Sequence, residues 1–274
     1  MNTWVLLRGL IREQRHWGDF PTEFQREIHG SNIVTLDLPG NGVMHHAASP
    51  LRIEDMARHC RNELESRGLA PPYYLLALSL GAMVAVSWCM QSPGEIAGCV
   101  LINTSLRPFS PFYRRLRPGN YPRLLWAAAH GDVARREKLI LQLTSNRADT
   151  QARLVERWTA WQNQYPTSRA NALRQLLAAM RFRAPRHKPS VPILVLGSER
   201  DRLVNADCSH RLASAWHAEA VFHPDAGHDL PLDDGPWVAR QVGLWLNGGK
   251  IGDKIGGEQA SEVIIATTQN PRQP

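Results

Sequence analysis

The chain has 274 residues, 43% of them hydrophobic, and a net charge of +7 from 32 Lys and Arg against 25 Asp and Glu. That length and apolar content can bury one large core with room for an inserted helical unit, which excludes a disordered or fibrous class. The four cysteines (Cys60, Cys89, Cys99 and Cys208) include no C-x-x-C pair and no metal-ligand spacing with histidine, so reduced buried thiols are expected rather than a zinc framework.

The opening MNTWVLLRGL lacks a basic n-region, and its apolar run is too short for a signal sequence. No stretch approaches the ~20 apolar residues of a membrane span. A cytoplasmic protein without a membrane span is therefore expected. In chain order, residues 3–7 (TWVLL) read as a first buried strand ending at Arg8-Gly9. Residues 33–36 (IVTL) read as a second, closed by the turn-forming cluster Asp37-Leu38-Pro39-Gly40-Asn41-Gly42. Residues 73–78, 99–103, 191–197 and 218–223 supply four more, with helical patterns near 20–29, 52–67, 81–91, 207–216 and 235–246. Continuous apolar strands alternating with helices imply parallel strands covered on both faces. The expected fold class is α/β, a doubly wound, mostly parallel sheet of about six strands.

Residues 106–188 break the alternation. They hold helical candidates at 123–130, 132–143, 150–162 and 168–181 and no convincing strand, which suggests a helical lid between two halves of the core, 1–105 and 189–247. Leu124, Leu125, Leu139, Ile140, Leu154, Trp158, Trp161, Leu173, Leu176 and Leu177 are expected to face the core or a pocket, and the arginines to face outward. Charge marks the same boundary, since residues 107–188 contain 17 Lys and Arg against four acids, whereas the remainder is acidic. Residues 248–274, with the near-repeat KIGDKIGG, read as a flexible tail in which 262–267 (EVIIAT) could form a short strand.

In an open parallel sheet, ligands bind beyond the carboxyl ends of the strands, so the residues that follow each strand carry the functional reading. Ser79 follows the third strand in LLALSLGAMVA. It matches the elbow pattern G-x-S-x-G at Gly81 but has Ala77 in place of the first glycine. Alone, Ser79 reads equally as a nucleophile or as a small turn residue. Asp201 follows the fifth strand in GSERDRLV and His228 follows the sixth in PDAGHDLP, giving the order Ser, Asp, His that this architecture requires. A serine hydroxyl needs a base to take its proton and a carboxylate to hold the imidazole in one tautomer. His228 and Asp201 are assigned those roles. Glu199 points differently in an extended loop, while Asp225 and Asp229 are expected to be solvated or capping. An acyl-transfer transition state also needs prepositioned N–H donors. The candidates are the backbone N–H groups of Leu80, at the helix start, and of Leu10, after the first strand.

Together, LLRGL with the following His16-Trp17, DLPGNG, ALSLGAMVA, LGSERDRLV and AGHDLP resemble the α/β-hydrolase superfamily over nearly all of the chain except the lid and tail. The loop from Arg8 to Trp17 most resembles that of small cytoplasmic esterases similar to the pimeloyl-acyl-carrier-protein methyl ester esterases. The resemblance implies a serine hydrolase that cleaves a carboxylic ester or thioester through an acyl-enzyme, without cofactor or metal. Arg8 stands where that superfamily usually has the histidine of His-Gly-x, which leaves the substrate class open. Ser79 argues against the branches with an aspartate nucleophile. No motif places Lys188 as the lysine of a hydroxynitrile lyase, and a peptidase of the proline-iminopeptidase type needs acidic residues in its lid to bind an amine, whereas this lid is basic.

The basic lid admits several readings: a solvated face, an anionic substrate, an acyl group on an acidic carrier protein, or nucleic acid, for which no binding motif is present. Arg8 and Trp17 are the candidate substrate-binding residues. Arg8 would either clamp a substrate carboxylate through its fork or tie its own loop. His45 and His46 read as surface loop residues. The rival to an enzyme is a catalytically silent scaffold that binds an acidic protein through its lid.

Overall fold

The computed structural model describes residues 1–130, 132–147 and 151–249. Six strands, β1 (Asn2–Leu7), β2 (Ser31–Leu36), β3 (Tyr73–Leu78), β4 (Ile96–Ile102), β5 (Ile193–Ser198) and β6 (Glu219–His223), form one sheet in the order β2-β1-β3-β4-β5-β6. Every pairing in it is parallel. Parallel neighbours need crossovers, and helices α1 (Phe20–Glu27), α2 (Ile53–Ser66) and α3 (Leu80–Gln91) supply the first three connections. α9 (Asp207–Trp216) links β5 to β6, and a short α10 (Leu230–Asp233) leads into α11 (Gly235–Leu246).

Alternation along each strand sends side chains to two separate cores. Val5, Leu7, Leu75, Leu101 and Val195 pack against α2, α3 and α9, whereas Trp4, Leu6, Leu76, Val100 and Leu196 pack against α1 and α11. Both faces are buried, so the strand sequences are apolar at nearly every position. Burying each such Leu, Ile or Val contributes roughly 1.5–3 kcal/mol. The four cysteines are free and buried. β4 begins three residues earlier than the apolar pattern suggests and ends before Asn103, whose backbone turns away at φ 44°.

Between β4 and β5 lie five helices: α4 (Phe112–Arg115), α5 (Tyr121–His130), α6 (Val133–Thr144), α7 (Gln151–Gln164) and α8 (Arg169–Arg181). Their inward faces differ from expectation in one consistent respect. Trp158 is buried, but Leu125, Leu173 and Leu176 are exposed. On α8 the buried positions are Asn171, Gln175, Ala178 and Ala179. The helix docks on the polar loops at the strand ends, where backbone groups need partners, and amide side chains meet that need where leucines would not. The proposed tail strand at 262–267 lies outside the described residues, as does most of the 248–274 extension.

The order β2-β1-β3 places a topological switch point between β1 and β3, where a crevice opens beyond the strand ends. α3 begins there in close contact with β1. A Cβ added at Gly81 would lie 2.7 Å from the carbonyl oxygen of Arg8 and closer still to that of Leu7. Because the obstacle is the backbone at the end of β1, Gly81→Ala is expected to destabilise the fold by about 3 kcal/mol, read as a loss of several degrees in Tm by calorimetry.

Candidate active site

Ser79 joins β3 to α3 in one residue and adopts φ 55°, ψ −110°, a conformation rare for any residue with a Cβ. The turn is secured on both sides. Its amide donates to the carbonyl of Ile102 (2.9 Å), and its carbonyl accepts from the amide of Ala82 (3.1 Å) and the hydroxyl of Thr104 (3.2 Å). The side chain is half-buried at the switch-point crevice. Gly9, from the loop after β1, lies directly against it, since a Cβ there would sit 3.4 Å from Ser79 Cβ and 3.9 Å from its Oγ. Leu10, next in that loop, has no partner for its amide among the described residues. The amide of Leu80 is the first of α3 and lies beyond the reach of intrahelical bonding.

Ile11 extends the same loop at φ 57°, a costly conformation for a β-branched residue. Its amide donates to Gln175 Oε1 on α8 (2.9 Å), and Gln175 Nε2 donates in turn to Asn41 Oδ1 (2.8 Å) and Ser49 Oγ (3.1 Å). The inserted helices therefore brace the loop that carries Leu10. Arg12 adds a buried ion pair to Glu137 of α6 (2.8 Å), with its guanidinium over the ring of Trp158.

Asp201 and His228 meet as expected from their positions. His228 Nδ1 lies 2.7 Å from Asp201 Oδ2, with both side chains buried. Asp201 Oδ1 accepts from the amides of Leu203 (2.8 Å) and Val204 (2.9 Å), which fixes the carboxylate and leaves its other oxygen to the imidazole. Glu199 instead contacts His210 at the surface (2.9 Å), and Asp225 is exposed. Burial of the His228 ring acts to lower its pKa, but the charge and hydrogen bond of Asp201, helped by Asp229, outweigh this and raise it above the ordinary imidazole value.

Asn103 joins the Ser79 and His228 halves. Its amide nitrogen donates to the carbonyls of His228 (2.9 Å) and Gly227 (3.2 Å) and to Ser198 Oγ (2.9 Å), while its Oδ1 accepts from the amide of Ser198 (2.8 Å). The residue before it in sequence, Ile102, holds the Ser79 amide. A polar residue closing an apolar strand was the sequence signal for Asn103. Asp233 binds the His loop from the other side, accepting from the amides of Gly227 (2.6 Å) and Asn146 (2.9 Å) and from Ser145 Oγ (2.6 Å).

The two candidate substrate-binding residues sit elsewhere than at an open cleft. Trp17 is buried beside Phe20, and the Arg8 guanidinium lies over its ring at 4.7 Å. Both Nη atoms of Arg8 are held by Asp229, at 3.0 and 2.5 Å. Asp229, expected to be solvated or capping, is not solvated, and although it stands at the N-cap of α10 its side chain does not cap that helix. It is buried because its charge is matched by a partner 221 positions earlier in the chain, which sequence spacing cannot show. Among the described residues, no group of three or more His, Cys, Asp or Glu is arranged to hold a metal ion.

The sequence profile of the alpha/beta hydrolase family matches residues 4–241. No curated protein sequence matches the chain. Solved structures similar to it include an esterase from Exiguobacterium antarcticum (TM-score 0.73, 13% identity, covering 90% of this chain and 92% of that one). An esterase from a Rhodococcus species (TM-score 0.68, 16% identity, 91% of each chain) and a thermophilic esterase from Thermogutta terrifontis (TM-score 0.66, 20% identity, 90% of each chain) are also similar.

Asn103→Ala removes the side-chain bonds from the end of β4 to the His loop and to Ser198 of β5, and leaves buried acceptors unmatched. It is expected to lower stability by about 2–4 kcal/mol, measured by chemical denaturation.

Proposed function

The chain belongs to the alpha/beta hydrolase family, and from that premise we propose that it is a serine hydrolase cleaving carboxylic esters or thioesters of small to medium acyl groups. The observation that carries this reading is the coincidence, at one end of the sheet, of a backbone-strained Ser79 with the buried His228–Asp201 pair. In the proposed reaction His228 takes the hydroxyl proton at Nε2, because its Nδ1 hydrogen is directed at Asp201. Ser79 Oγ attacks the acyl carbon, and the amides of Leu80 and Leu10 receive the oxyanion. Collapse expels the alcohol or thiol, which His228 protonates. A water molecule, deprotonated by the same imidazole, then releases the acid and restores Ser79.

Charge suggests the kind of acyl group. The inserted helices carry 17 Lys and Arg against four acids over residues 107–188. Thr144, Asn146 and Gln175 of that insertion bond directly to the His228, Asp201 and Leu10 loops. A substrate passing this segment meets positive potential, which favours an anionic acyl group, either free or attached to an acidic carrier protein.

Two measurements test the reading. A fluorophosphonate probe should label the wild type at Ser79 and leave Ser79→Ala unlabelled, and p-nitrophenyl ester hydrolysis should fall by about 10³-fold or more in that variant. Labelling elsewhere, or undiminished hydrolysis, would remove Ser79 as the nucleophile. The raised pKa of His228 sets the sign of the pH profile. The base must be neutral to act, so kcat/KM should decline as pH falls through a value above the ordinary imidazole range of about 6.5. An acid limb centred below that value would contradict the assignment of His228 as the base.

A further inference from the structure

Outside the Ser79, His228 and Asp201 set, one buried pair of opposite charges links the loop after β1 to the loop that carries His228. Arg8 Nη1 bonds to Asp229 Oδ1 at 3.0 Å and Nη2 to Oδ2 at 2.5 Å, a parallel two-bond geometry with side-chain exposures of 3% and 4%. Each partner borders one half of the site. Arg8 leaves β1 and is followed at once by Gly9, which lies against Ser79, and by Leu10. Asp229 directly follows His228, and its amide donates to the carbonyl of Thr144 (2.7 Å). Since β1 and β6 are separated in the sheet by β3, β4 and β5, the pair bridges the strand ends from the Leu10 loop to the His loop.

We propose that Arg8 and Asp229 are a positioning pair for the reaction, holding His228 against the oxyanion loop while cancelling each other's charge beside the imidazole. The proposal rests on the serine-hydrolase reading. The charged groups facing His228 are Asp201 from the loop after β5, Asp229 from its own loop and Arg8 from the loop after β1. Asp233 of α10 faces the same loop one residue away, through the amide of Gly227. Of these, Asp201 and Asp229 favour the protonated ring, and Arg8 opposes it. A bidentate pair joins the two functions, because the contact that fixes the loop also neutralises Asp229. The fork that a substrate carboxylate would need is already filled.

Each partner's charge should therefore act on His228 in the opposite direction when its mate is removed. The test is NMR titration of the His228 imidazole in the full chain, assigned by its loss in His228→Gln and paired with steady-state kinetics. Arg8→Gln, which leaves Asp229 uncompensated, is expected to raise the imidazole pKa and the acid limb. Asp229→Asn, which leaves Arg8 uncompensated, is expected to lower both. The double variant should return toward wild type, and Arg8→Lys should stay close to it. Each neutralising single change should cut kcat about 10- to 100-fold with little change in KM, since the base and the oxyanion donors lose register.

Shifts in the same direction, or an unmoved imidazole, would overturn the proposal. So would a variant of Arg8 that raises KM for anionic esters alone, which would make Arg8 a substrate clamp. If Arg8→Gln fails to fold, the downward shift in Asp229→Asn decides the sign, and an unmoved imidazole in that variant overturns the proposal. The titration needs no turnover, so opposed shifts in a protein that neither reacts with the probe nor cleaves esters would refute the hydrolase reading and leave the electrostatic pair standing.

Discussion

The geometry of the site depends on how closely α3 starts against the end of β1. A strand that becomes a helix in one residue must accept a left-handed backbone at that residue, and Ser79 does so at φ 55°. The helix start then has nowhere to go except onto the Leu7 and Arg8 carbonyls, which Gly81 alone permits without displacement. Several features follow from this contact. It brings Gly9 so close that a Cβ there would touch Ser79, and leaves the serine side chain half-buried at the crevice instead of in either core. The methyl of Ala77 is absorbed because that position points into the α2/α3/α9 core, where it is fully buried, and not toward the β1 carbonyls. An elbow can thus keep one glycine and lose the other, since the two positions face different obstacles.

The second half of the site is held from outside the sheet as much as from within it. Asn103 fastens the His loop to β4 and β5. Ser145, Asn146 and Thr144, at the end of α6, fasten it from above. Gln175 and Glu137 do the same for the loop after β1. A lid that only covered a pocket would present an apolar face. This insertion presents amides and carboxylates, because it meets loops at the carboxyl ends of parallel strands, whose backbone groups have no ladder partners and must be satisfied locally. The braced loops hold strained residues, Ile11 and Ser79, whose conformations persist only while their surroundings over-determine them.

This division explains what could be read from the chain. The six strands and the placement of Ser79, Asp201 and His228 after the third, fifth and sixth of them were legible because buried parallel strands are apolar at every position, and because the residues that follow a strand lie at its carboxyl end whatever the loops do. α9 and α11 were legible to the residue, since their amphipathic stripes face one uniform core. The rotation of α8 was not. Its sequence has leucines at 173, 176 and 177, and a hydrophobic pattern assigns the inward face to them, but the surface it docks on is polar and selects Asn171 and Gln175. The burial of Asp229 and of Glu137 was illegible for a similar reason. Whether a carboxylate is buried depends on a guanidinium far away in sequence, and local context carries no trace of Arg8 or Arg12.

Burying ions is costly, and apolar replacements of similar volume are often no less stable. The Arg8–Asp229 pair is thus better understood through what each charge would do alone. Asp229 adjoins His228, whose ring is already held by Asp201. With Asp229 uncompensated, two carboxylates would face one buried imidazole, and the protonated ring would persist into the range where a base must be free. With Arg8 alone, a positive charge would face the ring and oppose the imidazolium that proton abstraction creates. Together they largely cancel, and the carboxylate that governs the protonation of His228 is Asp201, hydrogen-bonded to it directly. Arg8 in place of the usual histidine before Gly9 is in this light one half of an exchange. The arginine is tolerable beside the site because the residue after His228 is an aspartate, and the aspartate is tolerable there because the arginine is present.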